Sequence, residues 1–334
     1  MQSLGSGRST LLLSGRHIAA RVRPDDYIRA VEAAFRRLGA GALETPPVVH
    51  IPATAGGFHV KSAVGAEAPR LTAVKVNGNF PGNPGRFGLP TVQGFVALLD
   101  AERGTLLALM DSAEITAQRT AASSLVAALR LACPDAEAAA FVGCGVQARS
   151  HLAMLRDRFP LARVRCFDTD AGNAARFDER AKRLGLESQV AGSPAEACRG
   201  AAIVVTSTPS RTALLGPDDV ASGSFVAAVG ADSPDKQELD PELMRRARVV
   251  PDVLAQAVAM GDLHHALAAG IMTAAQIHGD LASVVTGRVR GRTSADEVFV
   301  FDSTGTAAAD LAAAELVYTT LRNDPDVPRF DFAP

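Results

Sequence analysis

The spacing of apolar residues predicts that the chain begins with a mixed region of helices and strands. Residues 9–14 are predicted to form a strand. Apolar positions spaced three or four residues apart then predict an amphipathic helix that begins at Pro24 and takes its left-handed stop from Gly39. From Pro46 to Ser112, short apolar runs separated by Gly, Pro and Asn predict an antiparallel sheet.

Strands and helices alternate in the rest of the chain. Long Ala-rich helices are predicted from Ile115 to Cys133 and from Ala307 to Leu321. The segments between them contain continuous apolar runs, which are typical of parallel strands buried on both faces. These runs are Ala138–Gly143, Arg163–Asp168, Ala202–Thr208, Phe225–Gly230 and Arg248–Val253. The predicted fold class is α/β, with a Rossmann-like domain over 115–305 and a mixed α+β domain over 1–114 that residues 306–334 complete.

Length and composition restrict the class of protein. The 334 residues fit two domains, and 34 basic against 36 acidic side chains give a net charge of −2 without a basic cluster. We therefore expect no nucleic-acid partner. No apolar stretch has the length of a membrane span or of a signal-peptide core, so we expect no membrane partner and a cytoplasmic location. The four cysteines and seven histidines show no metal-ligand spacing, so no metal is expected.

A glycine motif follows the first predicted parallel strand. Gly143, Gly145 and Ala148 form Gly-x-Gly-x-x-Ala, with Val146 and Gln147 at the start of the next helix. Gly143 permits a tight turn, Gly145 lets backbone amides approach a pyrophosphate, and the helix start attracts its negative charge. The motif in this context predicts a dinucleotide site.

An acid follows the second parallel strand. Asp168 lies 25 positions after Gly143 (168−143), near the spacing of the acid that binds ribose hydroxyls in such sites. A carboxylate there would repel a 2′-phosphate, so NAD is predicted in preference to NADP. The alternative is a solvated acid at a strand end, where Asp is common.

Several further segments occur in an order that resembles the ornithine cyclodeaminase and mu-crystallin family. The segments that carry the resemblance are Val74–Asn83, Gly88–Val92, Ala108–Ser112, Ile115–Ala122, Gly230–Asp232 and Phe301–Gly305. The family contains cyclodeaminases, ketimine reductases and some alanine dehydrogenases. The resemblance implies a homodimer whose first domain binds the substrate and forms the interface, while the Rossmann-like domain holds NAD.

The resemblance also implies roles for individual residues. The Lys75 position contacts substrate, the Arg119 position contacts the substrate carboxylate and the cofactor region, and the Asp232 position is the catalytic acid or base. Lys75 is included with Asp232 as a catalytic candidate. The remaining implied contacts are with the cofactor from Thr91, Thr120, Thr208, Val226 to Val229 and Ser303, and with substrate from Thr304 and Gly305.

The chemistry of these side chains agrees with such roles. An amino-acid carboxylate needs fixed positive charge, which Lys75 and Arg119 supply, and a carboxylate at Asp232 would stabilise the iminium left by hydride removal. Each residue has a simpler interpretation as well. Lys75 could point to solvent, Arg119 could lie on a helix surface, and Asp232 could cap the turn after its strand.

One family feature is missing from this chain. Cyclodeaminases of the family commonly carry an Arg where Val48 stands here, as a further contact to the substrate carboxylate. In the next predicted strand, the period of two places His59 and Lys61 on one face. We therefore expect either that Lys61 replaces the missing cation near Lys75 or that it lies exposed at a sheet edge.

The predicted activity is NAD-dependent hydride transfer at the α-carbon of a small amino or imino acid, as in an amino acid dehydrogenase or imine reductase. One alternative is an ornithine-type cyclodeaminase, in which NAD takes and returns the hydride while ammonia leaves. An alternative of another class is a protein that binds a dinucleotide and a small ligand without turnover.

Overall fold

The computed structural model describes residues 9–332, which divide into two compact units. Unit 1 contains the residues up to Arg119 together with those from Thr306, and unit 2 contains Thr120–Gly305. The first boundary therefore lies inside the predicted Ala-rich helix, five residues beyond 114 (119−114), and the second lies between 305 and 306.

Unit 1 is built on a mostly antiparallel sheet with helices on one face. Its elements before the unit boundary are β1 (Thr10–Leu13), α1 (Gly15–Arg21), α2 (Pro24–Gly39), β2 (Leu43–Glu44), β3 (Val49–Ala53), β4 (Gly56–Gly65), β5 (Leu71–Asn79), α3 (Asn83–Phe87), β6 (Val92–Asp100), β7 (Leu106–Asp111) and the start of α4 (Ser112–Leu131).

The sheet of unit 1 is completed from the carboxy-terminal part of the chain, by α12 (Ala307–Leu321) and β17 (Arg329–Phe330). The strand order is β17-β1-β7-β6-β5-β4-β2, and β3 also pairs with β4. Strands β4 to β7 pair antiparallel as predicted, whereas β1 pairs parallel with β7. Helix α12 packs on β4 and β5 and is itself covered by α2.

The predicted stop of α2 is wrong by two residues. Gly39 is the last helical residue, and Ala40 follows in a right-handed conformation. Gly41, with φ of +71°, takes the left-handed conformation that ends the segment. Glycine is compatible with a helix stop at both positions, and the structure uses Gly41.

Unit 2 alternates strands and helices. After the end of α4 its elements are β8 (Ala138–Val142), α5 (Val146–Arg156), β9 (Arg163–Phe167), α6 (Ala171–Arg183), β10 (Glu187–Val190), α7 (Pro194–Cys198), β11 (Ile203–Thr206), β12 (Arg211–Leu215), β13 (Phe225–Ala228), β14 (Gln237–Leu239), α8 (Pro241–Arg246), β15 (Arg248–Pro251), α9 (Leu254–Ala257), α10 (Asp262–Ala268), α11 (Leu281–Val285) and β16 (Phe299–Asp302).

The large sheet of unit 2 has the order β10-β9-β8-β11-β13-β16-β15, and all its pairs are parallel. The five predicted parallel strands are all present, which confirms the α/β fold class. Two further strands were not predicted: β10, whose polar sequence lies at the sheet edge, and β16, which lies between β13 and β15. Among the helices of residues 9–332, none is long and apolar enough to cross a bilayer.

Candidate functional site

Unit 1 buries an ionic cluster between its sheet and helix α12. Lys75 on β5 donates from Nζ to Asp310 Oδ1 on α12 at 2.8 Å, and the same Nζ lies 2.6 Å from Asp310 Oδ2 in an ion pair. Arg119 Nε lies 2.9 Å from the same Oδ1. One carboxylate is therefore shared by two cations, and all three side chains are at most 5% exposed.

Burial and neighbouring charge change the protonation of these groups. Burial and the nearby positive charge of Arg119 lower the pKa of Lys75 to about 7, although Asp310 acts in the opposite direction. Burial alone would raise the pKa of Asp310, but Arg119 and Lys75 hold it below its ordinary value. Asp310 therefore stays ionised, while Lys75 can gain or lose a proton near neutral pH.

Lys61 belongs to the same region. It lies directly opposite Lys75 in the pairing of β4 with β5, and its side chain is only 8% exposed. The alternatives in which Lys61 lies exposed at a sheet edge, Lys75 points to solvent or Arg119 lies on a surface are therefore wrong. The group Lys61, Lys75, Arg119 and Asp310 is called the unit 1 charge cluster below.

Asp310 was missed in the sequence analysis. Its signal was a single acid in the apolar run Ala-Ala-Ala-Asp-Leu-Ala-Ala-Ala of α12, where a charge is costly unless it is paired. The partner could not be identified from sequence, because Asp310 lies 235 positions from Lys75 along the chain.

The glycine motif of unit 2 forms a tight turn between β8 and α5. Gly143 has φ of +87°, and a Cβ there would lie 2.6 Å from the Ser207 carbonyl oxygen, so both conformation and space require glycine. Gly145 has open space where a Cβ would stand. Helix α5 then begins without a side-chain cap, and Val146 at its start is 56% exposed. These features fit a dinucleotide pyrophosphate at the helix start.

Asp168 is hydrogen-bonded to the turn after β8 and to the turn after β9. Its Oδ2 accepts a 2.7 Å hydrogen bond from the Cys144 amide, and its Oδ1 accepts one of 2.8 Å from the Asp170 amide. Each carboxylate oxygen retains capacity to accept a further bond. The acid therefore holds the turn after β8 against the turn after β9, where ribose hydroxyls of a dinucleotide would lie.

A cavity of about 290 Å³ lies between α5 and α6, and Arg149, one of its lining residues, donates from Nη1 to the Cys144 carbonyl oxygen at 3.4 Å. The cavity thus adjoins the glycine turn. Its lining residues are Arg149, Arg176, Glu179, Arg180 and Arg183. The sequence around Asp168 gave no sign of these arginines, because they come from two different helices.

Glu238 on β14 organises the ends of two neighbouring strands. Its Oε1 accepts from the Thr208 amide at 2.6 Å and from the Thr208 hydroxyl at 2.7 Å. Its Oε2 accepts from the Thr206 hydroxyl at 2.7 Å and from the Gly230 amide at 2.8 Å. Burial raises the pKa of Glu238, which is fully buried, although these bonds act in the opposite direction.

A chain of acids continues behind Glu238. Asp262 accepts from the amides of Glu238 and Leu239, each at 2.8 Å, and burial raises its pKa to about 7. Asp302 accepts from the Leu263 amide at 2.9 Å, and burial together with Asp262 raises its pKa well above the ordinary value. Neither Glu238 nor Asp262 was found from sequence, since both act through contacts distant along the chain.

The residues that follow β16 are hydrogen-bonded to Asp252, which follows β15. Thr304 donates from its hydroxyl to Asp252 Oδ1 at 2.8 Å, and the Gly305 amide donates to Asp252 Oδ2 at 2.7 Å. Ser303 differs, because its buried hydroxyl has no hydrogen-bond partner among the residues that the structure describes. Ser303 therefore has capacity to bond a ligand, whereas the hydroxyl of Thr304 already has a protein partner.

The other predicted contact residues differ in their burial and in whether they lie at a strand end. Val229 lies just past the end of β13, but Val226 is fully buried in the core of the parallel sheet, so its side chain does not reach the sheet edge. Thr120 is buried at the start of unit 2, and Thr91 is half-buried in unit 1. Gln147 is half-buried in the first turn of α5.

Asp232 follows β13 in unit 2 and is accessible. Its side chain is 50% exposed, and Lys236 donates to its Oδ1 at 2.6 Å. In the same turn, the Ser233 hydroxyl donates to Asp235 rather than to Asp232. Asp232 is therefore placed as an accessible carboxylate with a neighbouring ammonium, beside the strand ends that Glu238 holds.

Comparison with known proteins gives a consistent result over almost the whole chain. Residues 8–324 match the Ornithine cyclodeaminase/mu-crystallin family. The chain is 35% identical to the alanine dehydrogenase of Archaeoglobus fulgidus, over 92% of this chain and 94% of that one. It is 31% identical to the iminosuccinate reductase of Paracoccus denitrificans, over 92% and 95%. A solved archaeal alanine dehydrogenase dimer with bound NAD superimposes with a TM-score of 0.92 at 33% identity, over 97% of this chain and 100% of that one.

Proposed function

Since this chain belongs to the ornithine cyclodeaminase/mu-crystallin family, we propose that it catalyses NAD-dependent hydride transfer at the α-carbon of a small amino or imino acid. Close relatives are NAD-dependent oxidoreductases or cyclodeaminases, so the chain is an enzyme of that group. The observation that carries the proposal is the unit 1 charge cluster, whose buried cations suit the carboxylate that every such substrate has.

Lys75 and Arg119 are assigned to hold the substrate carboxylate. Asp310 orients both cations, because a single carboxylate contacts Lys75 Nζ and Arg119 Nε. Lys75 also has a pKa near 7, so its ammonium can donate a proton and its amine can accept one at neutral pH. This dual capacity supports its assignment as a catalytic residue as well as a binding residue.

Asp232 is assigned as the acid or base for the substrate nitrogen. Its accessible carboxylate can take a proton from an ammonium group or return one to an imine nitrogen. Lys236, which donates to Asp232 Oδ1, places a positive charge beside this carboxylate.

The cofactor assignment rests on the glycine turn and on Asp168. When bound, a nicotinamide dinucleotide supplies a hydride to the α-carbon or takes one from it. Gly143, Gly145, Val146 and Gln147 are assigned to the pyrophosphate, and Asp168 to the ribose. Thr91, Arg119, Thr120, Thr208, Val229 and Ser303 are assigned as further cofactor contacts, and Thr304 and Gly305 as substrate contacts.

We propose NAD as the preferred cofactor, because Asp168 would repel a 2′-phosphate. Equilibrium titration with NAD⁺ and NADP⁺ tests this assignment, and Asp168→Asn is the matched variant. The comparison with NADP⁺ can contradict the proposal, since the cavity lined by Arg149 and three other arginines offers positive charge to the additional phosphate of NADP⁺. Tighter binding of NADP⁺ by the unaltered protein would reverse the assignment.

The activity is tested by following nicotinamide absorbance and ammonia together. Purified protein is incubated with NAD⁺ and a panel of amino acids, and separately with NADH and a panel of imines. Net conversion of the cofactor supports a dehydrogenase or imine reductase. Ammonia release without net conversion identifies a cyclodeaminase, and tight dinucleotide binding without either signal identifies a binding protein.

We further propose that the chain forms a homodimer through the sheet face of unit 1 opposite α12. Register places Val49, Ile51, Phe58 and Phe95 on that face, and all four side chains are exposed. An apolar sheet face of this kind is typical of a protein interface. A second copy of the chain is the proposed occupant, since the archaeal relative of the same fold is a dimer.

Sedimentation of an Ile51→Asp/Phe58→Asp variant tests the dimer. A monomer is expected for this variant and a dimer for the unaltered chain, because two buried carboxylates on each copy would oppose association. Leu129→Asp is the control, since Leu129 is exposed on the part of α4 that belongs to unit 2. A monomeric unaltered chain would disprove the assignment.

A further inference from the structure

The two lysines of the unit 1 charge cluster form a like-charged pair. Lys61 and Lys75 are direct partners across β4 and β5, and cross-strand partners have Cβ atoms about 4.5–5.5 Å apart. Both side chains are buried, and each influences the charge on Asp310. Like charges placed opposite each other destabilise a sheet, so this pair needs a functional explanation.

Basic side chains outnumber acidic side chains among the buried groups around this pair. Among the described residues of unit 1, the buried charged groups are Lys61, Lys75, Arg119, Asp310 and Asp100. Asp100 pairs with Leu71, four residues along β5 from Lys75, and strand geometry separates the two positions by about 13 Å. The unit 1 charge cluster thus combines three basic side chains with one acidic side chain.

The same sheet face becomes polar towards one end of the strands. The next residue pair beyond Lys61 and Lys75 on this face is His59 with Asn77, and the pair after it is Gly57 with Asn79. The Oδ1 atoms of Asn77 and Asn79 are buried and accept no hydrogen bond from the residues that the structure describes. Two amide acceptors therefore lie next to the cations, where they suit the N–H groups of an amine or imine.

Glycine on β6 lets the Asn77 side chain occupy this end of the face. Gly94 on β6 is the partner of Asn77, and a Cβ on Gly94 would lie 2.0 Å from the Val76 carbonyl oxygen and 2.5 Å from Asn77 Oδ1. Any other residue there would displace the Asn77 side chain. The basic side chains and the amide acceptors therefore occur together on one continuous face.

We infer that the substrate is a dicarboxylic amino or imino acid, with one carboxylate on Arg119 and Lys75 and the second on Lys61. This inference rests on the proposed hydride transfer and specifies its substrate class. In the reductive direction, the imine carbon receives the hydride of the reduced nicotinamide, the C=N π bond breaks and the nitrogen gains a proton. The second carboxylate takes no part in this chemistry and serves only for recognition.

Steady-state kinetics with matched substrates provide the test. Oxaloacetate with ammonia generates a dicarboxylic imino acid, and pyruvate with ammonia generates the monocarboxylic counterpart. With NADH, we expect kcat/KM to be at least about 10-fold higher for the dicarboxylic imine, since one additional charged hydrogen bond is made. Equal or higher kcat/KM for the pyruvate-derived imine would overturn the inference.

Lys61→Met separates recognition from catalysis. We expect this variant to lose about 10- to 100-fold in kcat/KM for the dicarboxylic imine, mainly through KM, and less than about 3-fold for the monocarboxylic imine. Lys182→Met is the control, because Lys182 is an exposed lysine of unit 2. An equal loss for both substrates would assign Lys61 a general structural role and contradict the inference.

Ligand-dependent thermal stabilisation gives a second measurement that needs no turnover. Succinate should raise the Tm of the unaltered protein more than propionate does, and Lys61→Met should remove the difference. Lys61→Met is expected to fold, since it replaces one of two opposed buried cations with an apolar side chain. If no compound supports hydride transfer, the proposed function fails, while the succinate comparison still decides whether the cluster binds a dicarboxylate.

Discussion

Lys75 Nζ lies 2.6 Å from Asp310 Oδ2, and the two side chains are 3% and 2% exposed. This contact joins the middle of the unit 1 sheet to the carboxy-terminal helix. Together with the packing of α12 on α2, β4 and β5, it holds the segment from Thr306 in unit 1 although the whole of unit 2 precedes it in the chain. The pair also fixes one side of the proposed carboxylate-binding group.

Asp310→Asn should destabilise the protein by about 3–5 kcal/mol, because Lys75 and Arg119 would remain buried without their shared carboxylate. Chemical denaturation measures the change. Asp326→Asn is the control, since Asp326 is 79% exposed in its pair with Arg21 and should change stability by less than about 1 kcal/mol. Equal stabilities for the two variants would contradict the assignment.

The pH dependence of kcat/KM should include a group with a pKa near 7 that belongs to Lys75. The protonated form binds a carboxylate and donates a proton, so kcat/KM should fall as pH rises through that value. In Lys75→Arg this fall of kcat/KM should move out of the neutral pH range, because arginine stays charged. If kcat/KM of this variant still falls near pH 7, the titration belongs to another group.

The same titration should appear in folding stability. The pKa of Lys75 is near 10.5 in the unfolded chain and about 7 in the folded protein, so the unfolded state binds more protons between those values. The contribution of Lys75 to the free energy of unfolding should therefore rise with pH across this window. Comparing the unaltered protein with Lys75→Met at several pH values isolates this contribution, and a pH-independent difference would contradict it.

Glu238→Gln should weaken dinucleotide binding by about 10-fold, measured by equilibrium titration. A Gln side chain keeps one acceptor oxygen, so either the two Thr208 bonds or the bonds from Thr206 and Gly230 lose their acceptor, at about 1–3 kcal/mol each. Glu242→Gln, at an exposed position on α8, is the control. Unchanged affinity would show that Glu238 supports only the fold.

Substitutions at two neighbouring glycines should separate folding from binding. Gly143→Ala should lower both stability and dinucleotide affinity, because φ is +87° and the Cβ would contact the Ser207 carbonyl. Gly145→Ala should leave stability within about 0.5 kcal/mol and still weaken binding, since its Cβ would enter open space beside the helix start. Denaturation and titration on both variants check this, and intact affinity in Gly145→Ala would place the pyrophosphate elsewhere.

The sequence by itself determined the local features of this protein. Apolar runs identified the five main parallel strands, because burial on both faces of a sheet demands continuous hydrophobicity. The glycine motif identified the turn after β8, because a positive φ restricts the residue type. The order of motifs identified the family, and period two correctly placed His59 and Lys61 on one face.

Only the tertiary structure decided which distant groups meet. Asp310 reaches Lys75 across 235 positions, and Glu238 holds Thr206 and Gly230 on two separate strands. Strand β10 was missed because an edge strand needs no apolar pattern, and Val226 proved to lie in the core rather than at the sheet edge. Periodicity indicates which face of an element is buried. The partner of a buried charge depends instead on which distant elements pack against that face in the tertiary structure.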